Sequence, residues 1–210
     1  MSATFRLDRA RRALFDANGQ RFDAPTRSWH VAGAPSGEAI DAINAATWLQ
    51  RDSGSPIRVP VGVIGPREAT LSQLQTARDV GAGLADIGFA IVCGGRHGVM
   101  EAVCEGAASH GGISVGLLPD ADPSFANPFV SIVVATGIGE ARNALITRAS
   151  LCLVAIGDSY GTLSEVALGR QFGKLVIGVD GAANVDGVVH VANASGAIER
   201  VARFALAVTT

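Results

Sequence analysis

The chain carries no surplus of positive charge: 17 Lys and Arg residues stand against 19 Asp and Glu, a formal net charge of −2. Duplex nucleic acid is bound largely by neutralising phosphates, so nucleic acid is not an expected partner and a DNA-processing role is disfavoured. The segment Arg6 to Arg12 is locally basic and reads as the solvated start of a helix. No apolar run reaches the roughly 18 residues that a membrane-spanning helix needs. Arg11-Arg12 leads into Ala-Leu-Phe-Asp rather than an apolar signal stretch. A cytoplasmic protein with no membrane partner is expected. Cysteine is scarce as well. Cys93, Cys104 and Cys152 form an odd set without metal-type spacing, so no metal site is expected. Cys93 and Cys152 lie in or beside apolar runs and read as buried, reduced thiols.

Glycine and apolar residues, by contrast, are plentiful. Hydrophobic residues make up 48% and charged residues 17%, enough for a sizeable core and too apolar for disorder. The length of 210 residues suits one α/β domain with an appendage. The 26 glycines exceed the usual share of about 7%, and many close apolar runs, where a tight turn or a close backbone approach needs them.

Residues 1–57 differ from the rest. Ala13 to Asp23 reads as a hairpin with a type I′ turn at Asn18-Gly19. A helix is expected over Glu38 to Leu49, with Ile40, Ile43, Ala46 and either Trp48 or Leu49 inward. Ser53-Gly54-Ser55-Pro56 breaks the pattern. This extension is too short for a convincing core of its own and is expected to pack on the main domain or on a partner subunit.

From Arg58 to the end, apolar strands alternate with helical patterns. Strands are expected at 59–64, 89–93, 114–118, 129–135, 151–156, 175–179 and 188–191, and helices at 71–87, 99–110, 140–149, 162–172 and 197–207. The strands are continuously apolar, as in a parallel sheet covered on both faces. The expected fold class is α/β, a doubly wound Rossmann-like sheet over residues 58–210 with a short N-terminal hairpin and helix extension.

Two glycine-rich turns each follow a strand and lead into a helix: Cys93-Gly94-Gly95-Arg96-His97-Gly98 and Ile156-Gly157-Asp158-Ser159-Tyr160-Gly161-Thr162. Such turns bring backbone N–H groups and helix N-termini to one sheet edge, a setting for a phosphate-bearing ligand. The spacing is not Gly-x-Gly-x-x-Gly, so NAD is not implied. Gly65, Pro66 and Arg67 end the first strand of the domain on the same edge, where Arg67 faces either ligand or solvent. The segment Thr136-Gly137-Ile138-Gly139-Glu140-Ala141-Arg142 puts Arg142 in the first turn of a helix, where a guanidinium anchors an anion or makes an ordinary ion pair. Thr162 and Glu165 have capping-box spacing; alternatively Glu165 faces the cleft and stabilises positive charge or steers water. His97 contacts ligand or is plain polar surface, and Tyr160, the only tyrosine, stacks on a base or packs.

Taken in order, Gly94-Gly95-x-x-Gly98-Val99-Met100-Glu101, Gly139-Glu140-Ala141-Arg142-Asn143 and Gly161-Thr162-Leu163-Ser164-Glu165 resemble the Lonely Guy superfamily, part of which carries a lysine decarboxylase label. The chain is most similar to its bacterial branch with the molybdenum-cofactor carrier proteins, over about Val59 to Val179. The resemblance implies a homodimer or higher homo-oligomer. It also implies one of two activities. The first is hydrolysis of nucleoside 5′-monophosphates, with Arg142 and Glu165 catalytic and the turn around Gly161 and Thr162 cradling phosphate. The second is non-enzymatic carriage of molybdenum cofactor or another pterin or nucleotide phosphate. No cofactor is required for either, and no lysine is placed for the Schiff base of a decarboxylase. Gly157, Asp158 and Ser159 replace the Pro-Gly-Gly of the hydrolases, and Asn143 replaces a lysine. Asp158 brings a negative side chain to the phosphate turn, which weakens phosphate binding unless it points away.

Overall fold

The computed structural model describes residues 5–208. Contacts divide the chain into two compact units: everything up to Ile57 together with the residues from Ile198 onward, and the segment Arg58–Ala197.

The larger unit holds a seven-stranded sheet in the order β12-β11-β10-β6-β7-β8-β9. Its strands are β6 (Val61–Ile64), β7 (Ile91–Cys93), β8 (Ser114–Leu118), β9 (Ile132–Ala135), β10 (Leu153–Ile156), β11 (Val176–Val179) and β12 (Val189–His190). Every pairing is parallel. β6, β7, β10 and β11 are buried along their whole length, as continuous Val/Ile runs in a doubly covered sheet require. The crossovers carry α2 (Leu71–Ile87), α3 (Val99–Ser109), α4 (Asn143–Ala149) and α5 (Tyr160–Gln171), and α6 (Ala194–Ala205) follows β12. Ile64, Val92, Ile146, Leu153, Ala155, Val166 and Val176 form the central cluster. The chain builds outward from β6 to β9, then returns to the other side of β6 with β10. That reversal opens a crevice at the carboxyl ends of β6 and β10, the place where open α/β sheets take ligands. The doubly wound architecture read from the sequence is therefore the observed one.

The smaller unit is an antiparallel five-stranded sheet, order β4-β3-β2-β1-β5, built from β1 (Phe5–Asp8), β2 (Ala13–Asp16), β3 (Gln20–Asp23), β4 (Ser28–Val31) and β5 (Glu38–Ile40), followed by α1 (Ala42–Arg51). The basic Arg6 segment, expected as a helical start, begins as a strand, because Phe5 and Leu7 alternate inward about Arg6. The hairpin forms, but its turn is not type I′. Only Gly19 has positive φ, at 76°, and its N–H meets the Asp16 carbonyl at 3.2 Å, the pattern of a three-residue loop ending in a left-handed glycine. The expected helix at Glu38 starts later, because Asp41 caps it, accepting from Asn44 N–H at 2.8 Å. Its inward face is Ala42, Ala45, Ala46, Trp48 and Leu49, while Ile43 is exposed. Phe22 and Phe5 pack on Trp29, whose indole N–H donates to the Leu206 carbonyl at 2.8 Å. Arg27 donates to the carbonyls of Phe204 and Ala205. The end of α6 thus completes a core that the first 57 residues supply only in part.

All three cysteines are buried and free. Among the described residues, no helix is long and apolar enough to cross a membrane, and no cluster of three metal-ligating side chains occurs.

Candidate functional site

The crevice is a cleft of about 740 Å³, within the 300–1,000 Å³ usual for small-molecule sites. Three strand ends supply its walls: Ile64 to Glu68 after β6, Gly94 and Met100 around the β7–α3 turn, and Asp158 to Glu165 after β10. Glu140 and Arg142, on a 3₁₀ turn over Gly139–Arg142 rather than in the first turn of the helix, close it together with Asn143 at the start of α4.

Local sequence explains the β10–α5 wall. Gly157 has φ of 66° and turns the chain out of the strand. Ser159 is then extended and caps α5, its hydroxyl accepting from Thr162 N–H at 3.1 Å. The expected cap, Thr162 with Glu165 as its box partner, is therefore displaced by one turn. Helix α5 starts at Tyr160, and Glu165 has no capping duty. The first amides of a helix lack intrahelical acceptors, so those of Tyr160 and Gly161 open the helix at the cleft, where Gly161 leaves the backbone unshielded. Asp158 is exposed on the cleft wall and the Tyr160 side chain stands 95% exposed.

The interior of the cleft holds a cation and an acid. Arg142 and Glu165 are 4% and 6% exposed, with Nη1 3.4 Å from Oε1. Arg142 Nη1 also donates to Asn143 Oδ1, while its Nε is buried without a hydrogen-bond partner. Burial pushes the Glu165 carboxyl up to about 8; Arg142 opposes the rise and the Glu140 charge adds to it. Glu165 is thus mostly a neutral acid at pH 7, and Arg142 keeps a net positive charge in a low-dielectric pocket. Nearer the rim, Arg67 pairs with Glu140 at 3.5 Å.

The structure brings together Gly65, Arg67, Gly94, Arg142, Glu165 and the run from Asp158 to Thr162. Gly95, His97, Gly98, Gly139 and Gly157 do not line the cleft. His97 is exposed and meets Glu101 at 3.1 Å. Gly98, with φ of 72°, packs under the carbonyls of Pro66 and Arg67. The Gly95 amide is held from behind by Cys93 Sγ at 3.4 Å, and the Gly95 carbonyl by Asn127, whose Nδ2 donates to it at 3.1 Å. Sequence reasoning missed Asn127, which lies 32 residues along the chain from that turn, and gave no role to Ser164 although it stands within the Gly161 to Glu165 motif.

A model of the SLOG cluster4 family matches residues 58–207. The molybdenum cofactor binding protein of Rippkaea orientalis is 32% identical, covering 69% of this chain and 96% of that one, with a TM-score of 0.66. The molybdenum cofactor carrier protein of Chlamydomonas reinhardtii is also 32% identical, covering 69% and 98%, with a TM-score of 0.64. An uncharacterised protein of Archaeoglobus fulgidus is 40% identical over 116 residues, 55% of this chain and 76% of its own length.

Proposed function

We propose that this chain, which belongs to the SLOG cluster4 family, binds a phosphate-bearing small molecule in the cleft at the carboxyl ends of β6 and β10, with a pterin phosphate of the molybdenum-cofactor type as the leading ligand. The observation that carries the reading is Arg142: a buried guanidinium with an unpartnered Nε, beside an acid that is mostly uncharged at neutral pH. A cation held this way lacks a full counter-charge, and an incoming phosphate supplies one with charge-assisted hydrogen bonds. The α5 N-terminus adds backbone donors on the same wall. The cofactor proteins of R. orientalis and C. reinhardtii, each covered almost end to end, favour the carrier reading over a catalytic one.

The test is thermal unfolding with and without molybdopterin, AMP and inorganic phosphate. A ligand at a hundred times its Kd stabilises by about 2.7 kcal/mol, and Arg142→Ala should remove that gain. Absence of stabilisation by all three would overturn the proposal.

One observation favours a second reading, hydrolysis of a nucleoside 5′-monophosphate. A carboxyl titrating at about 8 exchanges protons near neutral pH, as a general acid or base must. Release of free base from AMP by the wild type, lost in Glu165→Ala, would establish it. No release at high enzyme concentration would leave carriage alone.

A further inference from the structure

We infer that Asn143 is a positioning residue: its carboxamide holds the Arg142 guanidinium off Glu165 and so keeps the arginine charge for an anionic ligand. The inference rests on reading the cleft as an anion site.

The hydrogen inventory fixes the geometry. Arg142 can only donate, so Asn143 must turn Oδ1 toward Nη1, as it does. Its other end, Nδ2, donates to Ser164 Oγ at 3.0 Å. Ser164 in turn donates its single hydrogen to the Gly161 carbonyl at 2.7 Å and can only accept from Asn143. No member of this chain can reverse without leaving a donor facing a donor. Asn143 is itself buried, at 5% exposed, so a reversed amide would lose bonds that water does not replace. A relay of neutral groups therefore ties the guanidinium to the first turn of α5. The Arg142–Glu165 approach that results, 3.4 Å through one nitrogen, is longer than the 2.7–2.9 Å of a strong charge-assisted bond.

A lysine at this position would repel Arg142, and an aspartate would neutralise it. An asparagine does neither: it orients the cation and leaves the charge unspent. Around Glu165 the other charged groups of the cleft are Glu140 from the 3₁₀ turn before α4, Arg67 and Glu68 after β6, and Asp158 before α5. Arg67 is engaged by Glu140, so Arg142 is the cation that would turn onto Glu165 once released.

The experiment is an NMR titration of the Glu165 carboxyl in the ligand-free protein, run beside calorimetry with inorganic phosphate. In Asn143→Ala, Arg142 should swing onto Glu165 and lower its midpoint by about one pH unit or more, with phosphate affinity down on the order of tenfold. Ser164→Ala, at an exposed position and thus safe for folding, should move both in the same direction by less. Asn143→Asp should weaken phosphate binding while raising the Glu165 midpoint, since the new carboxylate takes up the Arg142 charge. A Glu165 midpoint that stays put or rises in folded Asn143→Ala and Ser164→Ala overturns the inference, because a merely structural asparagine would cost stability without lowering that value. If wild type binds no phosphate, the anion-site reading fails. The titration still decides what Asn143 does.

Discussion

Arg142 Nη1 and Glu165 Oε1 lie 3.4 Å apart with both side chains at least nine-tenths buried, yet the acid is protonated more readily than a free glutamate. Burial outweighs the neighbouring cation because the contact is long and single. A group whose folded pKa is raised, here from 4.5 to about 8, adds stability that is full below the unfolded value and is lost as pH rises toward the folded one. Unfolding free energy should therefore fall between pH 4.5 and about 8 from this group and level off above. Urea unfolding of wild type and Glu165→Gln at pH 5 and pH 8.5 checks this. The wild type should lose more stability over that interval than the glutamine variant; equal losses would refute it.

Binding should report the same titration at higher pH. Above pH 8, Glu165 ionises and neutralises Arg142, so affinity for an anion should drop. A phosphomonoester has its second ionisation midpoint near pH 6 and is almost fully ionised by pH 7.5, so its own charge hardly changes over pH 7.5 to 9. Calorimetric affinity for AMP should fall across that range in the wild type and stay nearly flat in Glu165→Gln. A rise, or an equal fall in both, would show that the arginine is not the anion anchor.

The β10–α5 turn gives a third expectation. Asp158 is exposed on the wall that Gly161 opens, so its charge acts on a bound phosphate partly through water. At an effective dielectric of 20–80, like charges several ångströms apart cost about 1–2 kcal/mol. Asp158→Gly should therefore strengthen phosphate binding by several-fold. Ser159→Ala, by contrast, removes the cap of α5 and should cost about 1 kcal/mol of stability, measured by chemical unfolding. Unchanged affinity in Asp158→Gly would mean that its side chain is clear of the ligand.

Most of the larger unit was legible because its strands are unbroken apolar runs and its helices have a clear period. What local pattern hid was decided at a distance. Phe5 and Leu7 make a strand only because β2 and β5 flank them, so a basic stretch read alone looked helical. The last turns of α6 belong with Trp29 and Arg27, about 177 residues away, and no periodicity reports that. In the site, type and spacing leave Arg142 and Glu165 as candidates beside plain structural readings, and only the family resemblance singles them out. Thr-x-x-Glu spacing makes Thr162 one candidate cap, whereas Ser159 and Thr162 are three apart as well and Ser159 takes the role. Two competent caps in one segment are resolved by the turn at Gly157, which the sequence does not specify.

Two glycines of one turn should answer alanine in different ways. At Gly94 an added Cβ would lie 2.6 Å from Arg142 Nη2 and 2.6 Å from Met100 Sδ, the far ends of flexible side chains. Both can yield, so the fold should survive Gly94→Ala with a loss on the order of 1 kcal/mol or less. The guanidinium, however, must leave the place where Asn143 holds it, and phosphate affinity should fall about as far as in Arg142→Ala. At Gly98 the Cβ would strike the backbone carbonyls of Pro66 and Arg67, which cannot yield, and φ is 72°. Gly98→Ala should therefore cost well over 1 kcal/mol of stability and disturb the Gly65–Arg67 wall secondarily. Paired unfolding and binding measurements separate the two. If Gly94→Ala kept full phosphate affinity, the close approach of Arg142 to that glycine would have no part in binding.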